Sequence, residues 1–596
     1  MVSGRWGWLI LVLAAFCGYV PALRCGYIWD DDAYLTGNRL VQSPDGLSAI
    51  WFDRLATPQH YPLVYTSFWL EYRLWGLNPA GYHLTNILLH VITVVLVYLL
   101  IRRWNPVVAF WTALLFAVHP VHVESVAWVT ERKNVLSGVF YVAAFLVYWR
   151  WREASAGDEA SQASQRSHWR YGAALGLFCC ALLSKSITAT WPAAVLVTVW
   201  WREGRIRPRD VLPLVPFFLL GIAGGLQTAW LEKHHVFAQT RDLQWSVSKR
   251  LVTAGAVPWF YLGKLLVPWP LLFFYPRWTL DGSRAGDWLP LLATAGLLVG
   301  LLLLARRGRR GPLAAALLFG GTLFPVLGLL PVYPMRFSVV ADHFQYLASL
   351  APLALVAVGI AWALQRSQRG GTILGGSVAL VLVGLTWHQL ADYRDGETLW
   401  RRTLAKNPDC YQCVNNLTAR IEAAAAAEPE YRRVVAMAPL FEMGWSNLAE
   451  SLERQGKIDE AIEAYGEAVR IEPRYSLVHA RLAQIHEDRG DLPKAIDEAR
   501  LATRYRPSAA DYSNLGRLLA MTGELDDAGR QLDRGLALDP DHVDTLLNRA
   551  SLHVIRGETG PAAKLLRRAR ALRPQDPRIV AALAQLGVTA APAVRN

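Results

Sequence analysis

The chain has 596 residues, of which 53% are hydrophobic and 18% charged, with a formal net charge of +13. That length calls for more than one domain, and the apolar residues crowd into the first two thirds, which excludes a purely soluble protein. The basic residues are scattered over several loops between apolar runs, so the charge excess argues against nucleic acid as a partner.

The first apolar run, Trp6 to Leu23, follows Arg5 and has Ala22 near its end. It is long and lacks a clean small-residue cleavage site, so it is read as an uncleaved anchor rather than a signal peptide. Asp30, Asp31 and Asp32 come almost directly after it. Three adjacent carboxylates repel one another and are costly to bury, so they are expected in water or in a polar cavity at the membrane face. A solvated loop, or a helix cap at Asp32, is the plainer reading.

Further apolar runs begin near residues 82, 134, 169, 187, 211, 287, 312, 344 and 372, with a shorter one at 107 to 118 that ends at His119-Pro120. Against a bilayer core of about 30 Å they give about eleven crossings. Lys and Arg near helix ends favour the cytoplasmic side. Arg102-Arg103, Arg150 to Arg170, Arg202 to Arg209, Arg306 to Arg310 and Arg366 to Arg369 then mark that side. Loops 24 to 81, 119 to 133, Lys185-Ser186, 232 to 286, 333 to 343 and everything after about 391 fall on the other. The count works only if residues 250 to 267 do not cross, so that piece is read as an interfacial or re-entrant helix.

The loops of the second face carry most of the distinctive residues. They include Trp29-Asp30-Asp31-Asp32, then His119-Pro120-Val121-His122-Val123-Glu124 and Trp128, and next Glu131-Arg132-Lys133-Asn134. Later come Lys185, the Leu265-Leu266-Val267-Pro268 segment and Asp342-His343-Phe344-Gln345-Tyr346-Leu347. Most tryptophans near helix ends are explained by interfacial anchoring, and Trp29 and Trp128 either anchor in the same way or stack on a ligand. Cys17, Cys179 and Cys180 lie in apolar runs and read as packing residues. Cys410 and Cys413 form either a local disulfide, the preferred reading, or half of a metal site with no second ligand pair visible.

The last third repeats itself. Gly456, Gly490, Gly523 and Gly557 recur every 34, 33 and 34 residues, as do Ala461, Ala495, Ala528 and Ala562, and Pro473, Pro507, Pro540 and Pro574. This is the period of tetratricopeptide repeats, helix pairs stacked into a superhelix. Glycine makes the turn, alanine lets the helices approach and proline closes the second helix. Pro439 and Pro408 suggest one or two degenerate repeats upstream, with Ala423 to Ala427 in place of the turn glycine, and residues 577 to 587 read as a capping helix. Such an array binds peptides or assembles complexes.

Taken in order, the Asp-Asp pair after the first helix, the His-Pro-x-His-x-Glu loop, the Leu-x-x-Pro segment, the Asp-His-Phe-Gln-Tyr-Leu stretch and the repeats resemble the transmembrane and tetratricopeptide repeat-containing O-mannosyltransferase family. The membrane part is similar to the multi-spanning GT-C class. Glu131-Arg132-Lys133-Asn134 departs from the Gly-Arg-Ala-Asp usual there, and the residue before Arg or His near 342 is often Glu.

The resemblance implies an all-α fold: a polytopic GT-C-like helix bundle of about eleven crossings followed by a tetratricopeptide α-solenoid. Its divisions would be 1–391, a connecting 392–442 with degenerate repeats, and 443–596 with the capping helix. It implies transfer of a sugar, mannose by the family, from a polyprenyl-phosphate donor to Ser/Thr hydroxyls of an acceptor protein on the non-cytoplasmic face. The repeats would recruit that acceptor. A base must take the hydroxyl proton, whereas a phosphate leaves without an acid, so one carboxylate suffices where glycoside hydrolysis uses two. Asp30 or Asp31 is the expected base and Asp32 a helper.

For the donor phosphate the candidates are Lys185, Arg132, Lys133 and Arg336, with snorkelling cations as the alternative reading. His119, His122 and Glu124 do not match a zinc-protease helix and are expected to orient the acidic loop or contact the sugar, and Asp342 and His343 either face the same cavity or bond an outer loop. No metal ligand is assigned and no cofactor is required, although the acidic cluster leaves room for a divalent cation. The partners are thus a lipid-linked donor, an acceptor protein and membrane lipid, without nucleic acid. The Arg- and Ala-rich composition and short array favour a bacterial inner membrane with periplasmic repeats. In a eukaryote the place would be the endoplasmic reticulum membrane with luminal repeats, where Asn416-Leu417-Thr418 would be a sequon. The alternatives are glycosylation of a lipid or envelope polysaccharide, and a non-catalytic scaffold presenting its repeats.

Overall fold

The computed structural model describes residues 6–155, 163–234, 243–330 and 332–587, so Arg5 and part of the Arg150–Arg170 stretch lie outside the described residues. Every regular element among those residues is helical, and the chain forms two compact units, Met1–Cys413 and Val414–Asn596.

In the first unit a helix forms on each of the apolar runs: Gly7–Tyr19, Pro79–Ile101, Pro106–Val118, Arg132–Ser155, Ala163–Ser184, Trp191–Glu203, Val215–His234, Leu289–Arg306, Gly311–Leu323, Leu350–Arg366 and Gln368–Leu390. Two open on an asparagine cap followed by proline, Asn78-Pro79 and Asn105-Pro106, where the missing N–H of proline costs nothing. Among the described residues five helices are long and apolar enough to cross a membrane, or six if the bent pair Pro106–Val118 and Pro120–Ala127 is one span. Gly311–Val326 and Leu350–Arg366 are apolar but shorter.

The loops assigned to a common face do meet. At one end Arg103 pairs with Glu153, Arg152 pairs with Glu203 and, at 2.7 Å, with Asp210, and Trp104 packs edge-on against Trp149 and Trp201. The other end joins Asp31 to Thr130, Glu131 to Lys185 and Glu124 to His343. The Val247–Leu266 helix belongs to that second end along its whole length. Arg250 near its start donates to the Leu329 carbonyl and Leu265 near its finish receives His119. Its middle crosses the start of the Leu289–Arg306 helix so closely that a Cβ on Gly255 would collide with Leu291. By length and composition this helix is not among the candidate spans of the described residues.

Among the described residues the second unit contains four helix pairs at the repeat period. They are Glu442–Arg454 with Ile458–Ile471, Ser476–Asp488 with Leu492–Tyr505, Ala509–Met521 with Leu525–Leu538, and Val543–Ile555 with Thr559–Leu572. The helix Ala424–Met437 precedes them and Pro577–Gln585 closes the stack. Gly456, Gly490, Gly523 and Gly557 all turn at φ between 76° and 85°, a left-handed region that other residues enter at a cost. Leu448, Ala449, Leu452, Ala461, Tyr465 and Ala468 form the core of the first pair. Cys410 and Cys413 are joined as a disulfide. Cys17, expected to pack inside, is exposed on the outer side of its helix.

Candidate active site

The aspartate loop starts from a strained residue. Trp29 has φ 50°, unfavourable for a bulky side chain, and its ring is gripped edge-on by Phe274, Phe337 and Trp400 at 5.3 to 5.7 Å. It is therefore a packing residue that fixes the turn, and neither a membrane anchor nor a free stacking surface. Trp128 is likewise buried, against Phe273 and His343.

The turn separates the three carboxylates, expected as one cluster in water or in a polar cavity, into different environments. Asp32 is exposed and takes the Ala33 amide at 2.7 Å. Asp31 is 1% exposed. Its Oδ1 accepts from the Thr130 amide at 2.8 Å and hydroxyl at 2.6 Å, and its Oδ2 from the Ile28 amide at 2.9 Å. Burial pushes its carboxyl up to about 6 against the pull of those hydrogen bonds. Asp30 lies between the two, half-buried. Its Oδ1 is enclosed with no hydrogen-bond partner among the described residues. Burial pushes Asp30 up to about 7, opposed by nearby Lys133 and reinforced by Asp31 and Glu131.

Beside this loop sits an ion cluster. Glu131 is buried and bridges two lysines, with Lys185 Nζ at 3.0 Å from one oxygen and Lys133 Nζ at 3.2 Å from the other. Burial alone would raise its carboxyl, but the two ammonium groups outweigh it and hold Glu131 below the usual carboxylate range. Lys133 also lies 4.9 Å over the Tyr34 ring. Lys185 donates to Asn134 Oδ1 at 2.7 Å, and the Asn134 amide donates to the His343 carbonyl at 2.8 Å. Glu124 receives the His343 amide at 2.9 Å and has its other oxygen 3.0 Å from His343 Nδ1. Asp342 accepts from Tyr275 Oη at 3.0 Å, and burial with Glu124 nearby drives its carboxyl well up. Loops far apart in sequence thus form one polar network running from Asp31 to Glu124.

Four expected site residues lie away from the aspartate loop's free carboxylate contacts. Arg132, expected at the donor phosphate, is fully buried. Its guanidinium bonds both oxygens of Glu71 at 3.0 Å, Ser67, Asn86 and the Tyr82 carbonyl. Those bonds engage all three nitrogens of the guanidinium, so Arg132 holds helices together instead of reaching a ligand. Arg336 is buried on the Tyr333–Arg336 turn, where its carbonyl accepts from Arg277 and Tyr411. His119 lies 3.0 Å from the Leu265 carbonyl, and His122 lies 2.9 Å from the Phe116 carbonyl and 3.0 Å from Ser349 Oγ. Both histidines orient their loop and neither faces the carboxylates. Among the described residues no group of three or more His, Cys, Asp or Glu side chains is placed to hold a metal.

Sequence reasoning missed Glu71 and Thr130. A lone glutamate inside the apolar Pro62–Trp75 helix was the signal for the first, since such a charge needs a partner. Thr130 carried none.

Family models described as tetratricopeptide repeat match residues 419–476, 446–510 and 519–586. Among curated proteins, a Caenorhabditis elegans protein O-mannosyl-transferase is 30% identical over 159 residues, 24% of this chain and 23% of its own length. Mouse protein O-mannosyl-transferase TMTC3 is 35% identical over 150 residues, 24% of this chain and 16% of that protein. Drosophila melanogaster Tmtc2 is 31% identical over 295 residues, 45% of this chain and 30% of that protein. This last match covers more residues than the whole second unit holds, so it reaches into the membrane unit. The chain spans less than a third of the length of these relatives. Among solved structures, YrrB, titled a tetratricopeptide protein with an unusual peptide-binding site, is 15% identical with a TM-score of 0.28, over 31% of this chain and 97% of its own.

Proposed function

We propose, from the premise that this is a TMTC-like membrane protein, that it is a glycosyltransferase moving a sugar, mannose by the names of its relatives, from a polyprenyl-phosphate donor to a hydroxyl of an acceptor protein. The observation that carries the reading is the pairing of a half-buried carboxylate, Asp30, with a lysine cluster on the same face.

In this reading Asp30 is the base. Its free oxygen and raised pKa suit a group that must be ionised near neutrality and still attract a proton. The acceptor oxygen attacks the anomeric carbon and its proton passes to Asp30. The bond from that carbon to the phosphate oxygen breaks, and the phosphate leaves as an anion toward Lys133 and Lys185. Glu131 pairs with both lysines at rest, so an arriving phosphate meets two ammonium groups already held in place. Asp31 fixes the loop, and Asn134, His343 and Glu124 keep Lys185 oriented. The repeats recruit the acceptor, whose local concentration rises because they are tethered to the enzyme. The disulfide at the end of the first unit suits an oxidising, non-cytoplasmic compartment.

The test is transfer from labelled polyprenyl-phosphate mannose by purified wild type and by Asp30→Asn, Asp31→Asn and Lys185→Met. The reading requires loss of transfer in the first and third with the fold retained. Full transfer by folded Asp30→Asn would refute the base assignment.

A further inference from the structure

The first and last candidate spans end side by side. Trp387 donates its indole N–H to the Cys17 carbonyl at 3.2 Å, and the Gly26 amide donates to the Arg394 carbonyl at 2.8 Å. Where they end, a groove of about 540 Å³ opens. One wall is apolar, from Pro21, Trp387 and Leu390, and the other carries Arg24, Arg394, Arg401 and Arg402. No acidic side chain lines it among the described residues. The nearby acids pair with these arginines only loosely or at the surface: Asp395 and Glu397 form exposed pairs with Arg394 and Arg401, and Asp392 stands 3.7 Å from Arg402. Arg24 closes the span Gly7–Arg24 and Arg394 follows the span Gln368–Tyr393 directly, with Arg401 and Arg402 on the next helix, Gly396–Lys406, so the cluster gathers beside the ends of the two spans.

This cluster lies on the face of the aspartate loop, opposite the other basic loops. The tendency of cations to gather on one side of a membrane therefore does not account for it, whereas an anion bound between the arginines, in addition to their surface carboxylate partners, would. An exposed tryptophan beneath four arginines offers a surface for an acyl chain below a headgroup. We propose that this groove binds the phosphate headgroup of an anionic bilayer phospholipid, with a chain along Trp387 and the phosphate held by Arg24, Arg394, Arg401 and Arg402. The site is separate from the proposed transfer chemistry and uses none of its residues. It holds the two spans that frame the aspartate loop against a lipid of defined charge.

The experiment is native mass spectrometry of the full-length protein, purified in mild detergent and offered phosphatidylglycerol and phosphatidylcholine together. Wild type should retain phosphatidylglycerol preferentially. Each arginine removed in Arg394→Gln, Arg401→Gln and Arg402→Gln should weaken that retention about five-fold. The matching Arg→Lys variants should keep most of it. Equal retention of the two lipids by wild type overturns the proposal, as does an unchanged preference in a folded triple Gln variant. Displacement by millimolar inorganic phosphate, or by polyprenyl phosphate as readily as by phosphatidylglycerol, also overturns it by assigning the groove to a free anion or to the donor. Should the Gln variant fail to fold, the wild-type preference and the competition arms decide the matter.

Discussion

Asp30, Asp31 and Asp32 are chemically identical and adjacent, yet each has a different environment. The triplet was legible in the sequence as a cluster that needed explaining. Its division was not, because Asp31 is fixed by Thr130, 99 residues away, and by a left-handed Trp29 that no local pattern announces. Arg132 and Lys133 show the same limit, since neighbours at the start of one helix take different partners, one pairing with Glu71 and one with Glu131. Asp30→Asn should lower transfer by about 10²- to 10⁴-fold, and wild-type activity should rise with pH through about 7 as Asp30 ionises. The sign for stability is opposite. A carboxyl whose folded pKa is raised binds a proton in the folded state that the unfolded state has released, so this group's contribution falls as pH climbs from the ordinary carboxylate range to about 7. Thermal melts of wild type and Asp30→Asn from pH 5 to 8 should show a steeper fall for wild type, and parallel curves would count against the buried, proton-hungry Asp30. Glu71→Gln leaves the buried Arg132 guanidinium uncompensated and should cost about 3–5 kcal/mol, read by the same melts.

Single elements follow the sequence most faithfully where local rules are strong. The repeats were readable because glycine, alanine and proline recur at fixed offsets and each has a local steric reason. Gly490→Val forces a β-branched side chain into φ 78°. It should destabilise its helix pair by about 1–2 kcal/mol, seen as faster amide exchange in Ser476–Asp488 and Leu492–Tyr505 with the membrane unit unchanged. Exchange that accelerates equally everywhere would show that the repeats do not open as local units. The apolar run read from 344 begins as a helix only at Leu350, because Asp342–Gln345 forms a tight turn that keeps Asp342 and His343 in the polar network. Hydropathy finds the run but not the turn, since Phe344, Tyr346 and Leu347 are as apolar as the helix that follows.

For the whole molecule the charge pattern sorted the loops into two sets, and contacts within each set agree with that sorting. The expected topology places Asp45 and Arg369 on opposite faces. In a background without exposed cysteine, Asp45→Cys and Arg369→Cys should react with an impermeant thiol reagent from opposite sides of sealed vesicles. Labelling from the same side would break the topology on which the site's placement rests. The central claim is an aspartate-dependent sugar transfer onto protein. Its most direct test is to incubate the purified full-length protein with labelled polyprenyl-phosphate mannose and a panel of envelope proteins and lipids, beside Asp30→Asn. Label on protein that disappears in the variant is the predicted result. Label on lipid alone, or none with any polyprenyl-phosphate sugar from a folded protein, would contradict the account.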